Sequence, residues 1–139
     1  MSRYSDDALV LTLVREAGAV LDDLGLPGSF TLADLHARVE ARRGRPIDVR
    51  PHRMPAEGPH GLWVMGENAD YVFVDETAPP LRRTQIIGHE FGHMLFDDRG
   101  AALPGDPAVH GCTRSGYDEL IEQRCEWFGT VVLQRVRLS

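Results

Sequence analysis

Apolar residues recur every three to four positions over residues 6–24. Leu9, Leu13, Ala17, Val20, Leu21 and Leu24 make one stripe and predict a first helix. Gly25 and Pro27 end it. Thr31 stands where an N-cap belongs, ahead of a second helix over 32–43 with Leu32, Leu35 and Val39 on its core face. Gly44 and Pro46 stop that helix. The pattern then changes to short apolar runs. Residues 47–50 read as a strand, and 51–60, with Pro51, Pro55, Gly58 and Pro59, read as a loop. Residues 61–65 and 71–74 read as two further strands, joined through the turn composition of Gly66-Glu67-Asn68-Ala69-Asp70 into a hairpin.

Helical spacing returns after Pro79 and Pro80 and predicts a helix to about residue 98. Gly88 and Gly92 lie one turn apart in it. Glycine costs up to about 1 kcal/mol in a helix relative to alanine, so the pair predicts another element packed very close to that face. Residues 99–116 carry Gly100, Pro104, Gly105, Pro107, Gly111 and Gly116 and read as a long loop of the kind that often has a function. A last helix is predicted over 117–135, with Ile121, Cys125, Phe128 and Val132 as its core stripe. Helices before and after three strands make an α+β domain.

Composition sets the frame without choosing a function. The chain has 139 residues, 42% hydrophobic and 26% charged, which suits a single domain, with 6–45 as a helical part and 46–137 as its core. No apolar run nears the roughly 18 residues of a membrane span, and the first residues show no secretory signal. Cys112 and Cys125 make no disulfide framework, so a cytoplasmic protein with reduced thiols is expected. The net charge of −6 argues against a nucleic-acid binder. Every basic residue is arginine and Asn68 is the one asparagine, a bias that points to GC-rich coding rather than to chemistry. The first two helices, with Arg38, Arg42 and Arg45 close together, have the outline of a helix-turn-helix. Their connection of about six residues exceeds the usual three or four, so a solvated arginine face is expected instead of a DNA-reading one.

Chemistry concentrates in His89-Glu90-Phe91-Gly92-His93, an H-E-x-x-H sequence inside an apolar run. On a helix, His89 and His93 share a face and can both point an imidazole at one metal ion. Glu90 is turned about 100° away, near enough to take a proton from water there without binding the metal. Zinc is the metal most often held in this way, by two imidazoles and a carboxylate with one position open, and it lowers the pKa of water from about 15.7 toward about 7. A third histidine at position 99, after glycine at 96, would mark one branch of such sites; Phe96 and Arg99 stand there instead. The missing ligand is therefore expected from a carboxylate on another helix. Glu119, Glu122 and Glu126 form a stripe on the last helix, and Gly129 continues it with room for close approach.

Residues from about 31 to 133 resemble the ImmA/IrrE family of zinc metallo-endopeptidases. The resemblance rests on Gly61-Leu62-Trp63-Val64 followed by Tyr71-Val72-Phe73-Val74, on Pro80 and Arg82-Arg83-Thr84 ahead of His89-Glu90-Phe91-Gly92-His93-Met94-Leu95-Phe96, and on Glu122-Gln123-Arg124-Cys125-Glu126-Trp127-Phe128-Gly129. It implies a minimal zincin-like, gluzincin-like domain in which His89, His93 and Glu122 hold Zn2+ and Glu90 is catalytic. The family's residue four after the ligand is commonly Asn or Asp; here it is Glu126, expected to orient a ligand histidine. The resemblance also implies a cytoplasmic protease of phage or stress regulation that cleaves a helix-turn-helix DNA-binding regulator, here as the protease domain alone, binding neither nucleic acid nor membrane.

Other features stay open at this level. Tyr117, His110, Arg114 and His60 are candidates to stabilise the oxyanion; His52 and His60 could approach the metal, and Cys112 could take its open position. A substrate held as an extended strand would use 71–74 or 61–65 as the sheet edge, with selectivity supplied by the 99–116 loop. The alternative function is a zinc-stabilised module that sequesters a regulator without cutting it. Glu90 argues against that, because a structural zinc does not need it.

Overall fold

The computed structural model describes residues 3–96, 109–110 and 116–137. In chain order the elements are α1 (Arg3–Asp23), α2 (Leu32–Arg43), β1 (Ile47–His52), β2 (Gly61–Met65), β3 (Asp70–Asp75), α3 (Pro80–Leu95), β4 (Val109–His110) and α4 (Gly116–Arg135). The α+β class expected from the apolar pattern is what forms. Thr31 caps α2 through a reciprocal capping box with Asp34, both bonds at 3.1 Å. Gly44 closes the same helix at φ 71°, and Gly25 follows α1 at φ 81°, backbone positions that glycine occupies without strain.

The sheet order is β1-β3-β2-β4, so β3 is central. It runs parallel to β1 and antiparallel to β2, the expected hairpin partner. Four expectations need correction. The sheet has a fourth, two-residue strand, β4, which comes from the stretch read as loop and pairs with Trp63 and Val64. The 71–74 segment offers no edge, because β3 has a neighbour on each side. Strand β1 continues through Pro51 to His52; as the edge strand it has no outer partner needing the absent N–H. Asp70, read as part of the turn, opens β3 instead and is fully buried.

That buried acid explains the arginines at the end of α2. Arg43 bonds the Asp70 carboxylate and lies over the Trp63 ring at 4.8 Å, while Arg45 stands 3.9 Å from Asp70 and donates to Gly66 O at 2.5 Å. Arg38 donates to Leu24 O, and Arg42 pairs with Asp23 at 3.1 Å. Arg43 and Arg45 are thus engaged with the buried carboxylate, while Arg38 and Arg42 stay exposed on the outer face of α2. Removing one partner of a buried ion pair costs about 3–5 kcal/mol.

One buried cluster runs from Ala17 and Leu21 through Phe30, Trp63 and Val72 to Phe91 and Val132. Helix α3 lies at its centre, touching α4, the sheet through β2 and β3, and α2. A helix covered on several sides must be apolar nearly all round, which is why Ile86, Ile87, Phe91 and Met94 surround the polar motif. Helix α1 packs on α4, held there by the bidentate Arg124–Glu16 pair at 2.8 Å. Among the described residues no helix is long and apolar enough to cross a membrane.

Candidate metal centre

Helices α3 and α4 run antiparallel and very close. A Cβ added at Gly88 would lie 3.0 Å from Gly129 Cα, and one at Gly92 would lie 3.3 Å from Cys125 Cα. At Gly129 it would meet Gln85 O at 2.5 Å and His89 N at 3.0 Å. The glycines anticipated as a close-packing face therefore let the backbones approach until side chains from the two helices converge on one point.

At that point are His89, His93 and Glu122. His89 Nε2 is 3.2 Å from Glu122 Oε2, and His93 Nε2 is 2.5 Å from Glu122 Oε1. One ligand atom from each residue lies within 4.8 Å of the others, so the group could hold a metal ion. The donor set fits one: both imidazoles turn Nε2 inward, and the carboxylate spans them. The same groups also lie within ion-pair distance of one another. Burial works against a charged His89, but hydrogen bonds to Glu122 and Glu126 outweigh it and push its pKa up to about 10. Burial likewise opposes ionisation of Glu122, and the two histidines outweigh that and bring it down to about 2.

Glu126 lies one turn beyond Glu122, and its Oε2 meets His89 Nδ1 at 2.7 Å. A carboxylate on Nδ1 fixes the ring and leaves Nε2 as the ligating nitrogen. This is the orienting place expected for Glu126. Glu119, one turn before Glu122, is exposed.

Glu90 lines the same cleft and is 2% exposed. Burial, against the pull of His89 and His93, raises its pKa to about 7. Its Oε1 has no hydrogen-bond partner among the described residues. Strand β2 begins directly over it: a Cβ at Gly61 would lie 2.5 Å from Ile86 Cγ2 and 3.1 Å from Glu90 Oε2. Gly61 therefore lets the sheet cover the carboxylate.

Next to Gly61, His60 forms part of the cleft wall with its Nδ1 3.4 Å from Asp75 Oδ2. Asp75 is itself held by the amide and hydroxyl of Thr77, at 3.0 and 2.8 Å. His52 packs edge-on against Phe73 in the sheet instead of lining the cleft. Cys112 and Arg114, and the side chains of His110 and Tyr117, lie outside the described residues.

The sequence reading assigned no role to Arg82, which it placed only in the lead-in to the motif helix, and none to Gln85 or Thr130; all three join Glu126 beside the cleft. Gln85 is four before His89 and Thr130 four after Glu126. That spacing carries meaning only once the register of α3 against α4 is known. No protein-family model matches the chain, and no curated protein matches it.

Proposed function

We propose that this chain is a zinc-dependent endopeptidase that cleaves a specific cytoplasmic protein. The observation that carries the reading is Glu90: a buried carboxyl at a cleft, poised near pH 7, beside a histidine–histidine–carboxylate donor set. His89, His93 and Glu122 would hold the metal. Zinc, when bound, supplies a Lewis acid that polarises a carbonyl and makes water acidic near neutral pH.

The chain's own residues do the rest. Glu90 accepts a proton from the attacking water and returns it to the departing amine nitrogen, a double task suited to a group titrating near 7. Its burial under Gly61 keeps the proton from bulk solvent. Glu126 holds His89 at Nδ1 and so directs Nε2 toward Glu122 and the metal position. His60, which lines the cleft with its Nδ1 3.4 Å from Asp75 Oδ2, is the described candidate to stabilise the oxyanion.

A substrate strand has a short docking edge. On the outer side of β2, β4 covers Trp63 and Val64, and Gly61–Leu62 beside Glu90 is unpaired among the described residues. Main-chain pairing there would seat a peptide over the cleft with little choice of sequence. Selection then falls to the 99–116 segment that joins α3 to α4. The acidic chain suits a basic partner, and the resemblance of its motifs to the ImmA/IrrE family makes a helix-turn-helix regulator the proposed substrate.

The test is cleavage of such a regulator from the same genomic neighbourhood by zinc-loaded protein, read by mass spectrometry. Glu90→Gln should keep metal and fold while losing about 10²–10⁴ in rate. Unchanged turnover in that variant would refute the mechanism. Tight regulator binding with no cleavage would favour the sequestering alternative.

A further inference from the structure

A polar seam continues past the metal donors along the α3–α4 contact. Arg82 Nη1 donates to Gln85 Oε1 at 2.7 Å and stands 3.6 Å from Glu126 Oε1. Gln85 Nε2 donates to Thr130 Oγ1 at 2.9 Å and reaches Glu126 Oε1 at 3.4 Å. The Thr130 hydroxyl in turn donates to the backbone carbonyl of Glu126 at 3.1 Å. The other Glu126 oxygen, Oε2, meets His89 Nδ1.

The polarity of this chain of bonds runs one way. A guanidinium only donates, so the Gln85 amide must turn its oxygen to Arg82 and its NH2 toward Thr130 and Glu126. Glu126 is then held at Oε1 and left to accept from His89 at Oε2. His89 must donate from Nδ1, which makes Nε2, facing Glu122, the nitrogen that gives up its proton to ligate a metal. The side chain of Glu126 is 47% exposed. A long carboxylate side chain at such a place has rotamer freedom to lose, so something must order it before it can order the imidazole.

We infer that Arg82 and Gln85 are positioning residues for the His89 ligand, acting through the Glu126 carboxylate. The inference rests on the metal-centre reading above. It adds two residues whose side-chain bonds lead to the donor set through Glu126.

The test is zinc affinity of the full chain, stripped and reloaded in competition with a chromophoric chelator at fixed pH and salt. Removing a partner of a metal ligand costs about 10–100-fold in affinity, so Glu126→Ala should fall in that range. Gln85→Met and Arg82→Ala, one step further out, should each lose about three- to tenfold, and neither should weaken Glu126→Ala further by more than about twofold. Arg82→Lys, which keeps a cationic donor, should recover to within about twofold of wild type. Cobalt-loaded Gln85→Met should show altered visible ligand-field bands while its urea midpoint stays close to wild type, a pattern that loss of packing would not give. Wild-type affinity in both single variants would overturn the inference, as would losses that persist undiminished in the Glu126→Ala background. Zinc bound with this coupling but no peptide cleaved would sink the protease reading and leave the inference standing. A wild type that takes up no zinc would overturn both.

Discussion

Gly129→Ala probes the feature on which the whole site depends, the separation of α3 and α4. The new methyl would sit 2.5 Å from Gln85 O and 3.0 Å from His89 N, both backbone atoms that cannot rotate away. Ordinary contact needs about 3.4 Å or more, so the helices must part by about 0.9 Å along that line. Metal–ligand distances tolerate about 0.2 Å, several times less than this movement. His89 and His93 ride on one helix and Glu122 on the other, so the donor set opens. Overpacking should cost about 1–3 kcal/mol, offset by about 1 kcal/mol from better helix propensity, leaving a net loss of up to about 2 kcal/mol in the metal-free protein. Zinc affinity should fall by at least about tenfold, since a displaced ligand is worse than a displaced partner of a ligand. The assay pairs chelator competition with urea unfolding. Gly88→Ala and Gly92→Ala, with nearest contacts of 3.0 and 3.3 Å, should rank below Gly129→Ala in that order, and Gly28→Ala, with nothing within 4 Å, should change neither quantity. Full zinc affinity in Gly129→Ala, or a ranking unrelated to these distances, would refute the reasoning.

Three further predictions concern the centre. Elemental analysis should find one zinc per chain; Glu122→Ala should lose far more affinity than Glu126→Ala, and Glu119→Ala almost none, because Glu119 is exposed. Equal losses at 119 and 122 would mean that the wrong carboxylate was chosen. Metal uptake should release a proton from His89 throughout pH 7–9, because the metal-free imidazole titrates near 10 while Glu122 is already ionised. Affinity should therefore climb with pH by about one decade per unit, measured by calorimetry in buffers of different ionisation enthalpy; a flat profile would contradict it. By the same linkage, the raised His89 pKa stabilises the metal-free fold fully below about 6.5 and is lost as pH rises through about 10, while the lowered Glu122 pKa stabilises it above 4.5 and is lost as pH falls through about 2. Finally, His60→Ala should lower kcat by about 10²–10³ with metal affinity unchanged, and Asp75→Asn should give a smaller loss; full activity in His60→Ala would move the oxyanion role elsewhere.

The one-dimensional pattern was enough for everything that repeats locally. Period, caps and breakers identified α2 to the residue, because Thr31, Asp34 and Gly44 act within one turn of themselves. They also located the hairpin of β2 and β3 and the helix carrying His89 and His93, and the glycines at 88, 92 and 129 announced a close approach before its partner was known. What needed three dimensions was every relation between elements distant in sequence. Strand β3 became central only when β1 paired beside it, which withdrew 71–74 as an edge. Asp70 looked like a turn residue until Arg43 and Arg45, from the end of α2, met it in the core. Glu119, Glu122 and Glu126 were one undivided stripe by spacing. The antiparallel register of α4 on α3 sorted them, facing Glu122 to both imidazoles, setting Glu126 behind His89 and leaving Glu119 in solvent. Chemical identity and helical period are local properties written in the chain, whereas which carboxylate meets which nitrogen is decided by how closely two backbones pack.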